Sequence, residues 1–398
     1  MESYLLDWAN LLLRWLHVIT VIAWIGASFY FVWLDNHLLK PEAPDLKAKG
    51  VDGELWAVHG GGFYNPQKYL VAPPNLPQHL HWFYWESYWT WMSGFALFVV
   101  LYLFNARSFL MDPRVHEWSG PWPAVAAALG FLVAGWVVYD LICRAFGQNK
   151  GEGGRVVIGN DGRVLGLVAA FVVVASWAAC QLFAGRAAFV VVGAMIATMM
   201  SANVLFWIIP GQKQVIADMR AGRPVDPVHG QRGKQRSVHN TYFGLPVLVA
   251  MLSNHYGMLH SHSQNWLVLS LLMAAGVLIR TFFVKRHKGV NSWGLVVAAV
   301  ALLAGLIAWM APAKQDAAMP APTLAQVQAV VEQRCLMCHS GPAAQKGLRL
   351  DSAEALQGHA AAVYQQVVLQ KTMPLNNVTA ITEAERALVA RWFEAKSK

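Results

Sequence analysis

The chain has 398 residues, 56% of them hydrophobic and only 13% charged, with 18 tryptophans. Soluble domains carry about 25% charged residues, so the composition excludes an ordinary water-soluble globule and makes the bilayer the expected solvent. The formal net charge is +9; with no nucleic-acid-binding motif in the chain, this excess reads as basic loops held at one membrane face, and no nucleic-acid partner is expected.

A membrane-crossing helix needs about 20 largely apolar residues. Eight segments meet that condition: 9–34, 81–104, 123–147, 164–184, 187–210, 238–257, 266–285 and 292–311. The expected fold is all-α: a polytopic eight-helix transmembrane bundle over 1–311, a linker over 312–322 and a small soluble domain over 323–398. Met1–Asn10 has no Lys or Arg and no small-residue cleavage site follows the first apolar run, so that run reads as a retained helix rather than a signal peptide. Lysines and arginines crowd into the loops around 35–80, 144–163, 211–237 and 280–288, whereas the alternate loops hold only Arg107, Arg114 and Arg186. The positive-inside rule then puts the membrane lipid around a chain with both ends outside. The N-terminus and the C-terminal domain then both lie on the outer side.

Two of the polar loops are more than connectors. Residues 35–80 are long enough for a subdomain, and an ordered loop of that length is usually functional. In 155–166, Asp161-Gly162 between β-branched runs suggests a hairpin turn. Beyond Met310, Ala and Pro dominate the expected tether.

The soluble domain carries Cys335-Leu336-Met337-Cys338-His339, the C-x-x-C-H pattern of covalent c-type haem attachment. Cys335 and Cys338 form the thioethers in this pattern and His339 is the first axial ligand. Met373 is the only methionine downstream and the expected second ligand, with His359 as its competitor; Met/His ligation suits electron transfer. Thr382 and Glu385 form a capping box for a last helix whose apolar face is Leu388, Val389, Trp392 and Phe393, as in class I cytochromes c. The other two cysteines, Cys143 and Cys180, lie in apolar segments near opposite faces and are expected to be unpaired.

Ionisable groups at membrane depth are costly and usually face a cavity, a partner or a cofactor. His17 and His255 fall at compatible depths in the outer half, a candidate ligand pair for b-type haem. His79 or His81 with His239 is a candidate second pair at the inner face. A core histidine bonded to a neighbouring helix is the competing reading of His17. A substrate at the inner face would need such an intermediate carrier, because the hydrocarbon core is about 30 Å thick; a substrate at the outer face would not.

His59-Gly60-Gly61-Gly62-Phe63-Tyr64 is the least ordinary string in the chain. The hydrolase reading of His-Gly-Gly-Gly needs a Gly-x-Ser-x-Gly elbow, which is absent from the sequence. Three glycines let backbone N–H groups converge on an anion; a tight turn without a ligand is the alternative.

The strings GELWAVHGGGFYNPQKYLVAP (53–73), LPQHLHWFYWESYWTWMSGFALF (76–98) and RWLHVITVIAWIGASFYFVWLD (14–35) resemble the N-terminal membrane domain of bacterial cytochrome-c-linked urate oxidases, or urate hydroxylases. The first helix is also similar to membrane proteins of the copper-resistance and protoporphyrinogen-oxidase type, where a first-helix histidine is associated with b-type haem; this bears on His17. The resemblance implies oxidation of urate and water to 5-hydroxyisourate, with electrons leaving through haem to a downstream cytochrome c or terminal oxidase. Soluble cofactor-free urate oxidases make hydrogen peroxide; this design need not. For a planar anion, the segment offers His59, Lys68 and Glu86 as catalytic groups and Gly60, Gly61, Gly62, Phe63 and Tyr64 as binding groups. The competing functions are a membrane cytochrome that takes electrons from quinol and a transporter fused to a redox sensor; the broken helices and inverted repeats of transporters are not evident.

Overall fold

The computed structural model describes residues 2–69, 72–151, 155–311, 320–342, 344–369 and 371–396. The chain is mostly helical. Its long helices are α1 (Glu2–His37), α2 (Trp85–Phe98), α3 (Pro121–Phe146), α4 (Asp161–Leu182), α5 (Gly185–Asn203), α6 (Ile209–Arg220), α7 (Pro227–Leu252), α8 (Asn265–His287) and α9 (Trp293–Trp309). Each of the eight apolar segments coincides with helix. By length and composition five helices are fit to cross a membrane: Trp8–His37, Pro121–Phe146, Asp161–Leu182, Gly185–Arg220 and Asn265–His287. The remaining three segments fall short for separate reasons. Helices α2 and α9 are shorter, and the first half of α7, from His229 to Arg236, is polar.

Helix α5 is the centre of the bundle, with nearly every residue from Ala187 to Asn203 buried. Close approach by α3 and α7 depends on glycine. A Cβ at Gly135 would lie 2.2 Å from the Met195 side chain, and one at Gly193 would lie 3.1 Å from Ala250, the small-residue packing that lets apolar helices approach closely. Helix α1 lies outside, packed on α2, and turns Leu11, Trp15, Ile19 and Ile22 outward. So much exposed apolar surface is untenable in water and fits lipid.

Two sequence expectations about polar segments are corrected. The stretch 211–237 is not a loop but largely helix, through α6 and the start of α7; Asp226 caps α7 by accepting from the Val228 N–H at 2.9 Å, and Pro227 stands at its first position. Asp161-Gly162 is not a hairpin turn either. Strand β5 (Gln148–Lys150) pairs with β6 (Val156–Ile158), and Asp161 opens α4 behind a left-handed Asn160, a conformation that asparagine tolerates.

The C-terminal residues form a separate cluster around Val327, Val331, Leu350, Leu356, Val363, Val389 and Trp392. Its first helix, α10 (Leu324–Arg334), and its last, α11 (Glu383–Lys396), are tied by the 2.9 Å ion pair Arg334–Glu385. The capping box expected at Thr382 and Glu385 is present. Most of the expected linker, 312–319, lies outside the described residues.

Candidate functional site

The 35–80 segment folds as two nested strand pairs. Strand β1 (Gly53–Glu54) pairs with β4 (Gln67–Lys68), and β2 (Ala57–His59) pairs with β3 (Gly62–Tyr64). The register sets His59 opposite Gly62, so Gly60 and Gly61 form the two-residue turn. Their φ angles of 58° and 80° match the positive values that a type I′ hairpin turn needs at both central positions. The turn accounts for the first two glycines, and a Cβ added at either would meet nothing within 4 Å. His59 is exposed, Phe63 is 78% exposed and Tyr64 is exposed. Lys68 stands at the base of the hairpin in an ion pair with Asp35, and Glu86 lies in the first turn of α2. The proposed catalytic and binding groups of this segment are therefore spread from hairpin tip to helix start rather than gathered round one cavity.

The membrane histidines divide by hydrogen bonding. His17 Nδ1 lies 3.1 Å from Ser93 Oγ, whose own hydrogen is directed to the Trp89 carbonyl at 2.6 Å. The imidazole then donates from Nδ1 and keeps a lone pair on Nε2, the tautomer that a metal ligand requires. The ring rests on Gly94, where a Cβ would come within 2.7 Å of it. His255, His79 and His81 are exposed, His255 in the short turn after α7.

His239 is fully buried, in a network that sequence reasoning missed. Its Nδ1 lies 2.8 Å from the Tyr139 hydroxyl, which accepts from Asn203 Nδ2 at 2.9 Å; Asn203 also donates to Asn240 Oδ1 at 2.9 Å. Cys143 Sγ lies 3.8 Å from the same Nδ1, and His239 Nε2 is buried without a hydrogen-bond partner. Beside the network, Asp140 accepts from Arg236 at 2.6 Å, Arg144 at 2.7 Å and Trp207 at 2.7 Å. Asp140 in segment 123–147 and Arg236 before 238–257 were visible in the sequence, but their meeting depends on how three helices are rotated.

The Cys335–His339 segment fits a covalent haem. The His339 amide donates to the Cys335 carbonyl at 3.0 Å, and neither cysteine is in a disulfide. Burial pushes the Cys335 thiol up to about 11, so it is a protonated thiol at neutral pH. His339 Nδ1 donates to the Leu348 carbonyl at 3.0 Å, which leaves the Nε2 lone pair available to a metal. Met373 packs against the cluster, and buried Arg386 donates to its carbonyl at 2.9 Å. His359 is exposed at the end of a short helix. Cys335, Cys338, His339 and Met373 are thus the residues able to hold a c-type haem. Cys143 and Cys180 are buried and free, as expected.

Two cavities stand out. One of about 500 Å³ is lined by Gln78, His79, Leu80, Trp82, Lys213, Ile216, Ala217 and Arg220, before the start of α2. Another of about 300 Å³ lies at the far end of α2, between Arg14, Tyr102, Phe109, Arg186 and Lys346.

A mostly helical chain with five helices long and apolar enough to cross a membrane defines the fold class. The family is more specific. Residues 3–311 match the family described as urate oxidase N-terminal, and the chain belongs to it. No match was found among curated proteins or among solved structures.

Proposed function

We propose that this protein is a membrane-bound urate oxidase, or urate hydroxylase, that converts urate and water to 5-hydroxyisourate and sends two electrons through haem to its C-terminal cytochrome c domain. The carrying observation is that the urate oxidase family match over 3–311 is joined in one chain to a Cys335–His339 segment whose His339 presents Nε2. Urate plus water yields 5-hydroxyisourate, two electrons and two protons. The electrons pass on to a downstream cytochrome c or terminal oxidase, so no hydrogen peroxide forms.

Four chain residues set up the relay. Cys335 and Cys338 would form the thioethers of a haem, and His339 and Met373 would ligate its iron. The haem supplies one-electron acceptance at a raised potential, as Met/His ligation favours. The eight apolar segments cross a bacterial inner membrane with the cytochrome domain on the periplasmic side, a topology supported by the unequal loop charges. For an additional b-type haem, His17 has the suitable tautomer and a lone pair on Nε2.

Anaerobic addition of substrate to purified oxidised protein tests the proposal. Urate should reduce the c-type haem and a quinol should not; reduction by quinol alone would assign the chain to the membrane cytochromes instead.

A further inference from the structure

We infer that urate binds not at the glycine hairpin but in the 300 Å³ cavity between the bundle and the C-terminal domain, held by Arg14, Arg186 and Lys346. The inference rests on the urate oxidase reading above and adds the place where the substrate meets the electron acceptor.

The cavity has the chemistry of a site for a planar anion. Three cationic side chains line it, from α1, from the start of α5 and from the C-terminal domain, and among the described residues no carboxylate lines it. Its volume is at the lower end of the roughly 300–1,000 Å³ usual for small-molecule sites. Tyr102 and Phe109 supply aromatic walls, and Asn10 and Asn105 supply amides for the hydrogen-bonding edges of a purine.

The cations are held in place. Arg186 Nε donates to Asn254 Oδ1 at 2.7 Å, the same oxygen that accepts from the Tyr102 hydroxyl at 2.8 Å, and the guanidinium lies 6.0 Å from the centre of the Phe109 ring. Arg14 donates to Asn10 Oδ1 at 3.2 Å. Arginine suits this role because its planar fork can bond an anion while stacking on an aromatic face.

The cavity also adjoins the residues that would hold the haem. Lys346 belongs to the turn in which the Gln345 amide bonds the Cys338 carbonyl at 2.9 Å and the Leu348 carbonyl accepts from His339. The short helix Ala106–Phe109, whose last residue lines the cavity, packs on Leu375–Asn377, just past Met373. His339 and Met373, the residues that would ligate the iron, are therefore both carried by segments that reach the cavity or its wall. A haem held by these residues would take one electron at a time, passing the first to a downstream acceptor before taking the second, so that urate plus water gives 5-hydroxyisourate, two electrons and two protons.

The larger cavity at Lys213 and Arg220 is also cationic, but it lies before the start of α2. Residues 85–103 separate the two ends, roughly 28 Å at 1.5 Å per helical residue. A substrate there would need a carrier through the membrane. One in the interdomain cavity does not.

The test is urate binding to ascorbate-reduced holoprotein, where no turnover can occur, measured by anaerobic equilibrium dialysis. Arg14→Gln, Arg186→Gln and Lys346→Gln should each weaken binding tenfold or more, whereas Lys213→Gln and Arg220→Gln leave it unchanged. Arg186→Lys should recover part of the loss, which separates lost charge from lost fold. Tight binding by the wild type together with unaltered binding in Arg14→Gln and Lys346→Gln would overturn the placement alone. A wild type that neither binds urate nor is reduced by it would overturn the functional reading, and the placement with it.

Discussion

His339 donates its Nδ1 hydrogen to the carbonyl of Leu348 at 3.0 Å, which fixes the imidazole in the tautomer whose Nε2 can bind iron. Met373 is held through its backbone, with its carbonyl accepting from Arg386. Met373→Ala should leave the haem attached through Cys335 and Cys338 but lower its potential and slow electron exit. The near-infrared methionine-to-iron band should vanish. If the band persists in the variant, Met373 is not the ligand.

The ring of His17 lies against Gly94, where a Cβ would come within 2.7 Å. His17→Ala, and Gly94→Val by displacing the ring, should both remove or perturb a non-covalent b-type haem in the pyridine haemochrome spectrum. The c-type signal should stay constant. Wild-type protein that contains covalent haem only would leave His17 a structural role through Ser93.

Asp140 is ringed by Arg236, Arg144 and Trp207, with Arg236 only 3% exposed. Breaking a buried ion pair costs about 3–5 kcal/mol because one charge is left uncompensated. Asp140→Leu strands the buried Arg236 and should fall in or above that range. Arg236→Met leaves Asp140 with Arg144 and Trp207 and should cost less. Thermal unfolding in detergent gives the order, and equal losses would argue against the asymmetry.

His260 lies in the connection between α7 and α8, with Nε2 buried and unpartnered. Burial first, and then the charge of Arg186, hold its pKa down to about 4. The depressed folded value means that the unfolded chain takes up the proton first. Stability should therefore fall as pH drops from about 6.5 towards 4, by at most about 1.4 kcal/mol per pH unit for this one group. The His260→Leu variant should have a shallower pH dependence of unfolding, and an unchanged slope would exclude His260 as its source.

The helices were legible because their apolar runs are long and a buried backbone must satisfy its own hydrogen bonds. Helix α7 was placed too late, since its first turns are polar and hydropathy does not register a helix that extends beyond the apolar layer; the Asp226-Pro227 start signal was there to be read. The glycine string was ambiguous in principle, because an anion-binding backbone and a type I′ turn both call on positive φ. Only the pairing of His59 with Gly62 separates them. The Tyr139–His239–Asn203 network and the Arg14–Arg186–Lys346 cavity draw residues from distant parts of the chain, and no spacing rule joins them. The Cys335–His339 motif is legible because its residues are contiguous in the chain.

The same turn geometry yields a prediction for the hairpin. Gly61→Val forces a branched residue into left-handed φ, which costs about 1–2 kcal/mol for an L-residue, but no neighbouring atom is crowded. The variant should lose local order in the 53–68 segment while its affinity for urate stays within about twofold of wild type. A large loss of affinity, without unfolding, would return the substrate site to the glycine string.

The most direct measurement of the central claim is an anaerobic titration of oxidised protein with urate, following the c-type haem and the product together. Each urate gives two electrons, so half an equivalent should reduce all of the haem if one covalent haem is the sole acceptor in the chain, and a full equivalent if His17 also holds a b-type haem, with 5-hydroxyisourate as the product in either case; when oxygen and a terminal oxidase are added, no hydrogen peroxide should accumulate. Haem that stays oxidised in excess urate, or turnover that makes peroxide stoichiometrically while the haem remains ferric, would contradict it.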